Sequence, residues 1–500
     1  MKHGKILLLA SGILAAATLV GCGGGDSGGS GVIKITFDHT FGEGIEKGVQ
    51  AKFETFKKLV KENEGVDVQL VMNPAMSYNA VVNTVGMELE AGNGPTMAVA
   101  YPDHIAAFQN KEKTPEQYIV NMDSYMDDPE IGFGKESWMG DLPMYSKSDI
   151  IQSFLKEGQQ FAREGTYCLP FMKSTEILQY NLPKVKEALK IYEKTKNLVE
   201  SERLNFLQTM SFEELMEIAQ VIVDHKDDLN LPDLTYPVYY DSDSNMAITQ
   251  LIQAGLTYSE FDDAKNVILG LDASVSSMAS NITEAKKIFQ NFRNWHNDGL
   301  LSTKSVLGTY SSSSFKRQEC VFVIGSSGGA GYSVPEEGDF DAGYARVPYV
   351  GENSVTPEYV SQGPSITFCR DKSVSKAVND LRIKYAWKFY KYLILPKTNI
   401  AIACNNSQGY VPVRRSAYAT AEWGKVINPD PEEVEEISYY TYTARIIGEV
   451  INNHYYNTIV FNGSDKYRTN ITSLVKDLMT TDKGIDELLA TCISETKKWM

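Results

Sequence analysis

The chain is 500 residues long, several times a typical domain, so two lobes are the first expectation. Its 64 acidic residues outnumber 48 basic ones for a net charge of −16, which disfavours nucleic acid and anionic membrane surfaces as partners. The cysteines and histidines are scattered, with no Cys-x-x-Cys or His-Glu-x-x-His spacing. Buried free thiols are therefore expected, rather than a disulfide framework, a metal site or a bound cofactor.

The first residues read as a targeting segment. Lys2 and Lys5 precede an apolar run, 6–20, interrupted at Ser11 and Gly12 and too short for a membrane span. An ordinary signal peptide with an incidental cysteine is one reading. The order Leu19-Val20-Gly21-Cys22, however, resembles the bacterial lipobox, in which a peptidase cuts before the cysteine and its thiol carries lipid. Residues 1–21 are then a lipoprotein signal and 22–31, nearly all glycine and serine, a flexible tether. The resemblance implies an exported protein on the outer face of the cell membrane, held only by lipid at Cys22. Loss of Lys2 and Lys5 with the signal takes the net charge to −18.

From residue 32 strand and helix alternate. Residues 32–37, Val-Ile-Lys-Ile-Thr-Phe, read as a strand, and a helix follows with Ile45, Val49, Phe53, Phe56 and Val60 on one face. Residues 66–72 are the second strand, and a helix runs through Tyr78, Val81, Val85 and Leu89. Gly92-Asn93-Gly94-Pro95 stops it before a third strand, 96–100. This order implies a parallel sheet, whose ligands lie beyond the carboxyl ends of the strands. Loops 39–44, 73–78 and 101–104 are therefore the first places to look.

Residues 165–181 are the most informative stretch. Residues 167–171 read as a buried strand interrupted by Pro170, which a central ladder tolerates poorly. Ser174 and Thr175 form a polar step, and Ile177, Leu178 and Tyr180 resume an extended run that Asn181-Leu182-Pro183 ends before a helix. Two architectures fit: a crossing between two lobes, or a bulged strand in one large sheet. Further on, Ser211-Phe212-Glu213-Glu214 is a capping box. Residues 237–240 are a short strand with a polar loop, 241–245, behind it; 282–295 are helical. Residues 320–324 form a strand running into Gly325-Ser326-Ser327-Gly328-Gly329, and Gln362-Gly363-Pro364-Ser365 precedes an extended 366–369. A helix carries Ile383, Trp387, Tyr390 and Ile394, and the end of the chain reads as largely helical.

Taken in order, these stretches resemble the extracellular solute-binding proteins of ABC importers, in the group that takes sugars and glycerol phosphates. The resemblance rests on the lipobox and His39-Thr40-Phe41-Gly42-Glu43-Gly44, then on Leu169-Pro170-Phe171 with Ser174-Thr175. It continues through Ile324-Gly325-Ser326-Ser327-Gly328-Gly329, Gly363-Pro364-Ser365 and Gly409-Tyr410-Val411-Pro412-Val413-Arg414. It implies an α/β fold of two lobes, like that of periplasmic binding proteins, each a mostly parallel sheet flanked by helices. It also implies capture of a solute in the cleft and delivery to a permease, without turnover. Residues 32–173 with 366–409 would form the first lobe and 175–364 with 410–500 the second, with crossings at Ser174, near Gly363 and near Gly409. Residues 199–210 and 256–280 match no element of the group and read as insertions.

An enzymatic reading competes. The 325–329 run matches the Gly-x-Ser-x-Gly elbow of a secreted serine hydrolase with Ser327 as nucleophile. Such a serine needs a base, and His454 is the only later histidine; Pro335 leaves little room for the helix an elbow requires. Nothing singles out a glycosidase carboxylate pair.

For a sugar, the chemistry asks for aromatic faces against the ring and carboxylates, amides and hydroxyls around it; 28 tyrosines and five tryptophans suit this. By the resemblance, Tyr78 stacks on or hydrogen-bonds ligand, and Asp103 lies one position after a ligand-binding Glu of glycerol-phosphate binders. Ser174 matches the hinge hydroxyl, Ser327 the turn after the strand, Gly363 the second hinge and Tyr410 the Gly-Tyr-x-Pro tyrosine. His39, Glu43, Asp241 and Arg414 are further ligand candidates. Where glycerol-phosphate binders carry a phosphate-holding Arg, this chain has Val460-Phe461-Asn462-Gly463, with Arg468 beyond. Together with the acidic composition this favours a neutral carbohydrate over glycerol 3-phosphate or a glycerophosphodiester, with Arg414 and Arg415 the residues that would restore a phosphate contact.

Overall fold

The computed structural model describes residues 31–349, 358–404, 409–430, 438–450 and 454–500. The signal, Cys22 and all but the last residue of the tether lie outside the described residues.

The apolar runs become strands of two separate sheets. In the first, β1 (Val32–His39) lies between β2 (Asp67–Pro74) and β3 (Met97–Ala100) and is parallel to both. The 167–171 run yields only β4 (Leu169–Pro170), although all five residues are buried. Pro170 is accommodated because β4 is an edge strand. The second sheet takes β5 (Glu176–Asn181) and β6 (Val238–Tyr240). The expected insertion at 256–280 contains a hairpin, β7 (Ser259–Phe261) and β8 (Val267–Leu269). Then come β9 (Leu301–Thr303), β10 (Phe322–Ser326) and β11 (Ala342–Arg346), and a small pair of β12 (Tyr359–Val360) with β14 (Tyr455–Tyr456). Between those two, β13 (Ser365–Phe368) returns to the first sheet.

The strand orders are β2-β1-β3-β13-β4 and β11-β5-β10-β6-β9. In each sheet four strands share one direction and one opposes it: β13 is antiparallel to β3 and β4, and β5 to β10 and β11. The opposed strand in each case is the one whose chain has just arrived from the other sheet.

Helices follow the apolar spacing. Helix Glu43–Glu64 buries Ile45, Val49, Phe53, Phe56 and Val60, the five residues on its predicted face. Each is worth about 1.5–3 kcal/mol of burial. Phe53 and Phe56 meet Phe389 of helix Lys376–Leu393, with ring centroids 5.0 and 5.3 Å apart. The Ser211 capping box forms, with Ser211 Oγ accepting from Glu214 N and Ser211 N donating to the Glu214 carboxylate. Residues 199–210 contribute helix Glu200–Phe206, and both supposed insertions send side chains (Leu207, Met210, Leu269, Leu271) into the second core.

Three segments lie side by side between the sheets. Lys173 and Val411 exchange backbone hydrogen bonds of 3.1 and 2.8 Å, and Ser174 and Gln362 exchange a pair of 3.0 Å each. The Lys173 ammonium, fully buried, reaches Glu157 at 2.5 Å and the Gly363 carbonyl at 3.2 Å. Ser361 and Ser365 donate to the same carboxylate.

The end of the chain divides differently from the expected assignment of all of 410–500 to the second lobe. Val411, Val413, Ala417, Trp423, Val426, Ala444 and Ile447 pack into the first core, while Tyr467, Ile471, Leu474 and Leu489 pack into the second. Arg414 is the reason. Its guanidinium is sunk in the first core, donating to the carbonyls of Ile394 (3.0 Å) and Tyr145 (2.8 Å), and it pins the segment there.

Candidate functional site

The carboxyl ends of the strands of both sheets face one cleft of about 730 Å3. On the first side Thr40, Phe41 and Gly42 follow β1, Tyr101 follows β3, and Tyr78 opens helix Tyr78–Ala91. Ser77 caps that helix, its Oγ accepting from Ala80 N at 3.2 Å, which fixes where the helix begins. The Tyr78 and Tyr101 ring centroids are 4.5 Å apart, and burial pushes the Tyr101 hydroxyl up to about 12. These rings remain neutral donors. All three loops expected from the strand order contribute.

On the second side Asp241 and Ser242 follow β6, Lys304 follows β9, and Ser326, Gly328 and Gly329 lie in the turn at the end of β10. The expected polar loop 241–245 is shorter than its composition suggested, because Ser242 caps a helix, Asp243–Gln253, that already includes Asn245. The Lys304 ammonium sits 3.5 Å from the Tyr310 ring centroid. Between the two sides, Gln362, Pro364, Tyr410 and the start of β5 line the cleft.

Glu176, the first residue of β5, has the most unusual environment. It is 2 % exposed; its Oε2 accepts from the Tyr240 hydroxyl at 2.6 Å and the Thr249 hydroxyl at 3.4 Å, while Oε1 is enclosed and has no partner. Desolvation by burial raises its carboxyl to about 7.

A second chamber of about 260 Å3 adjoins the first, sharing Tyr78, Tyr101, Ser242, Asn245 and Gln362 as walls. Asp103, His104, Asn457 and Arg468 line it. Arg468 NH1 donates to Asn245 Oδ1 at 2.6 Å, and its Nε lies 3.8 Å from Asp103, an ion pair between the two sides.

The residues singled out from sequence separate into three groups. Tyr78, Tyr410 and Asp241 line the main chamber and Asp103 the second. Asp241 accepts from Ser311 N at 2.9 Å, and burial raises its carboxyl. Ser174, Ser327 and Gly363 sit behind the lining, in the joint between the sheets. Ser174 Oγ is 3.4 Å from Ser326 Oγ; Ser327 Oγ donates to the Gly409 carbonyl at 2.6 Å, and Ser327 N donates to Thr175 O. Gly363 has φ +95°, and a Cβ there would stand 2.5 Å from the Met172 carbonyl oxygen. The third group lies outside the cleft lining. His39 is buried, its Nδ1 accepting from Phe41 N at 3.1 Å, and desolvation lowers it to about 4, so it is neutral. Glu43 is exposed and paired with Lys47. Arg414, sunk in the first core, offers nothing to a phosphate in the cleft.

Ser327 also lacks the setting of a nucleophile. Its hydroxyl is committed to a carbonyl, and the chain continues into a 3-10 turn, Ser327–Ser333, rather than the helix an elbow needs. Gly328 of this turn has a packing reason instead: a Cβ there would meet the Tyr410 ring at 2.7 Å. No group of metal-ligating side chains and no membrane-crossing helix occurs among the described residues, and the five cysteines after Cys22 are buried and free.

Sequence reasoning missed Tyr101, Glu176, Asn245 and Gln362 in the lining. Glu176 had a visible signal, an acid set within the apolar run of β5. Tyr101 immediately follows a parallel strand, in a loop already marked. Asn245 and Gln362 carried none.

The family model for the bacterial extracellular solute-binding protein matches residues 52–428. No curated protein matches in sequence. Among solved structures, the cyclic α-maltosyl-1,6-maltose binding protein of Arthrobacter globiformis is 12 % identical, covering 94 % of this chain and 99 % of its own, with a TM-score of 0.63. UgpB of Mycobacterium tuberculosis, solved with glycerophosphocholine, is 13 % identical over 94 % and 98 %, with a TM-score of 0.63. The sugar-binding protein MalE of Xanthomonas citri is 12 % identical over 93 % and 96 %, with a TM-score of 0.63. At such identities the likeness is one of fold.

Proposed function

Because the chain belongs to the bacterial extracellular solute-binding proteins, we infer that it is the lipid-anchored capture subunit of an ABC importer, closing its two lobes on a neutral carbohydrate. The observation that carries this reading is the composition of the cleft. Tyr78, Tyr101, Tyr310, Tyr332, Tyr410 and Phe41 supply ring faces, and Glu176, Gln179, Asp241, Asn245 and Gln362 supply acceptors around them. Similar folds are solved with a glycerophosphodiester as well as with sugars. The cations favour the sugar. Those lining the two chambers are Lys304 and Arg468. Lys304 rests on Tyr310, and Arg468 is occupied by Asn245 and Asp103, so neither is a ready phosphate clamp.

The first lobe is the sheet of β1–β4 and β13 with its helices and residues 411–430 and 438–447; the second is the sheet of β5, β6 and β9–β11 with residues 461–497. The ribbon of Lys173, Ser174, Gln362 and Val411 is the hinge. Ligand held by both walls stabilises the closed form, which a permease can distinguish from the open one. No turnover is expected. Purified protein should hydrolyse neither esters nor glycosides, and Ser327→Ala should lower stability by about 0.5–1.5 kcal/mol through the lost hydrogen bond without touching any activity.

A thermal-shift screen of the mature protein against neutral saccharides and glycerophosphodiesters, followed by small-angle scattering, tests the reading. Stabilisation by saccharides with compaction supports it. Stabilisation by phosphodiesters alone replaces the ligand class, and binding without compaction removes the closure mechanism.

A further inference from the structure

We propose that Arg468 and Asp103 form an electrostatic tie between the two lobes, one that draws them together before any ligand is bound. The inference rests on the two-lobed reading above and adds a source of closure that belongs to the protein alone.

The two residues come from opposite lobes. Asp103 stands in the first turn of helix Pro102–Gln109, just beyond β3 of the first sheet. Arg468 lies in helix Ser464–Thr480, whose Tyr467, Ile471 and Leu474 are sunk in the second core. Other shielded ion pairs stay within one lobe: Lys173 with Glu157 and Lys391 with Glu136 and Asp141 in the first, Lys497 with Asp272 in the second.

The pair also lies where separation of the lobes is felt. Asp103 is on one wall of the side chamber and Arg468 on the other, so opening about the hinge ribbon draws them apart. An attraction across that gap therefore favours the closed form. Glu157, the other carboxylate lining the chamber, is already held by Lys173.

Each partner is set in place by its own lobe. Arg468 Nη1 donates to Asn245 Oδ1 at 2.6 Å, and Asn245 is itself fixed by the Ser242 cap, whose Oγ accepts from Asn245 N at 3.3 Å. Asp103 Oδ1 accepts from His104 N at 3.0 Å, while Oδ2 lies 3.8 Å from Arg468 Nε. Exposed ion pairs contribute little partly because two long side chains must be ordered to form them. Here the ordering precedes the pairing. At 3.8 Å the contact is longer than a hydrogen bond, so it acts through charge. The side chains are 30 % and 18 % exposed, shielded enough to matter and open enough for salt to reach.

The experiment is small-angle scattering of the ligand-free mature protein, fitted as a mixture of open and closed forms. Sodium chloride is raised from about 0.01 M to about 1 M, over which the Debye length shrinks from about 30 to about 3 Å. The open-to-closed ratio of the parent should rise about two- to fivefold across this range. Asp103→Asn and Arg468→Gln should each begin at the higher ratio and ignore salt, and the double variant should open no further than either single one. A parent ratio that salt does not move overturns the tie. So does a salt response that persists in either single variant, or a double variant whose opening is the sum of the two. The parent's titration needs no substitution, so it decides the matter even where a variant folds poorly. Because no ligand is present, failure of the tie leaves the carbohydrate reading standing; that reading fails or holds on the saccharide screen.

Discussion

Replacing Gly363 by alanine should damage both stability and binding through one atom. At φ +95° an L residue is strained by about 1–2 kcal/mol. The added Cβ would lie 2.5 Å from Met172 O, 2.8 Å from Lys173 Cα and 2.9 Å from Ser174 N. All three are backbone atoms of the neighbouring hinge segment, so no rotamer change relieves the contact, and overpacking of this kind costs about 1–3 kcal/mol. The sum, about 2–5 kcal/mol, should be read as a lower midpoint in urea unfolding of Gly363→Ala against the parent. Gly329→Ala is the control: it lies on the cleft lining, a Cβ there would have no atom within 4 Å, and it should change nothing. Ligand affinity of Gly363→Ala should fall as well, because the segments forced apart are those that set the lobes' relative position. An unfolding free energy within about 0.5 kcal/mol of the parent would refute the close approach on which this reasoning rests.

Tyr78→Ala should weaken carbohydrate binding about tenfold or more, about 1.4 kcal/mol, with an unchanged circular dichroism melt; unaltered affinity in calorimetry would put the ligand elsewhere. Glu176 and Glu88 are each raised to about 7 in the folded protein, chiefly by desolvation, so their contribution to stability is present below the unfolded value of 4.5 and is lost as pH rises through about 7. Tyr240, Asn245, Thr249 and Arg468 face Glu176, and none of them reverses that sign. Melting temperatures between pH 4.5 and 8 should decline less steeply in Glu176→Gln, and an identical slope would show that Glu176 ionises normally. Cys22→Ala protein should leave the membrane fraction for the soluble one, and continued sedimentation with membranes would exclude the lipid anchor.

The parts of the fold legible in the sequence are those with strong periodicity. The face of helix Glu43–Glu64 and the strands around it needed no tertiary information, because burial of Ile45 to Val60 follows from spacing alone. The capping box at Ser211 was equally local. What escaped depends on partners distant in sequence. Lys388 and Lys391 lie on a helix read only for its apolar face, yet both are buried, Lys391 bonding Glu136 at 2.7 Å and Asp141 at 2.8 Å. Arg414 was a candidate because, with Arg415, it could restore a phosphate contact; the carbonyls of Ile394 and Tyr145 that draw it away are invisible in the Gly-Tyr-Val-Pro-Val-Arg motif. The same limit explains Gln362, whose place on the shared wall is set by its pairing with Ser174. Tyr78 was legible as a cleft residue because it closes a loop that a parallel sheet aims at its carboxyl edge, and Tyr410 only through the resemblance of its Gly-Tyr-x-Pro motif.

The opposed strand in each sheet bears on how the chain acquires its structure. β3 pairs with β13 through Ala100 and Ser365, which stand 365 − 100, or 265, residues apart, and β4 has no other partner strand among the described residues. Until β13 is available, the apolar edge Met97–Ala100 has a vacant ladder on one side, a template for pairing with another chain. Such distant pairing is slow, since the closure of a very long loop must precede any reward from contacts. The first lobe therefore cannot finish as an independent N-terminal unit: its completion waits on the second, and a chain interrupted between β11 and β13 is left with an open, aggregation-prone sheet.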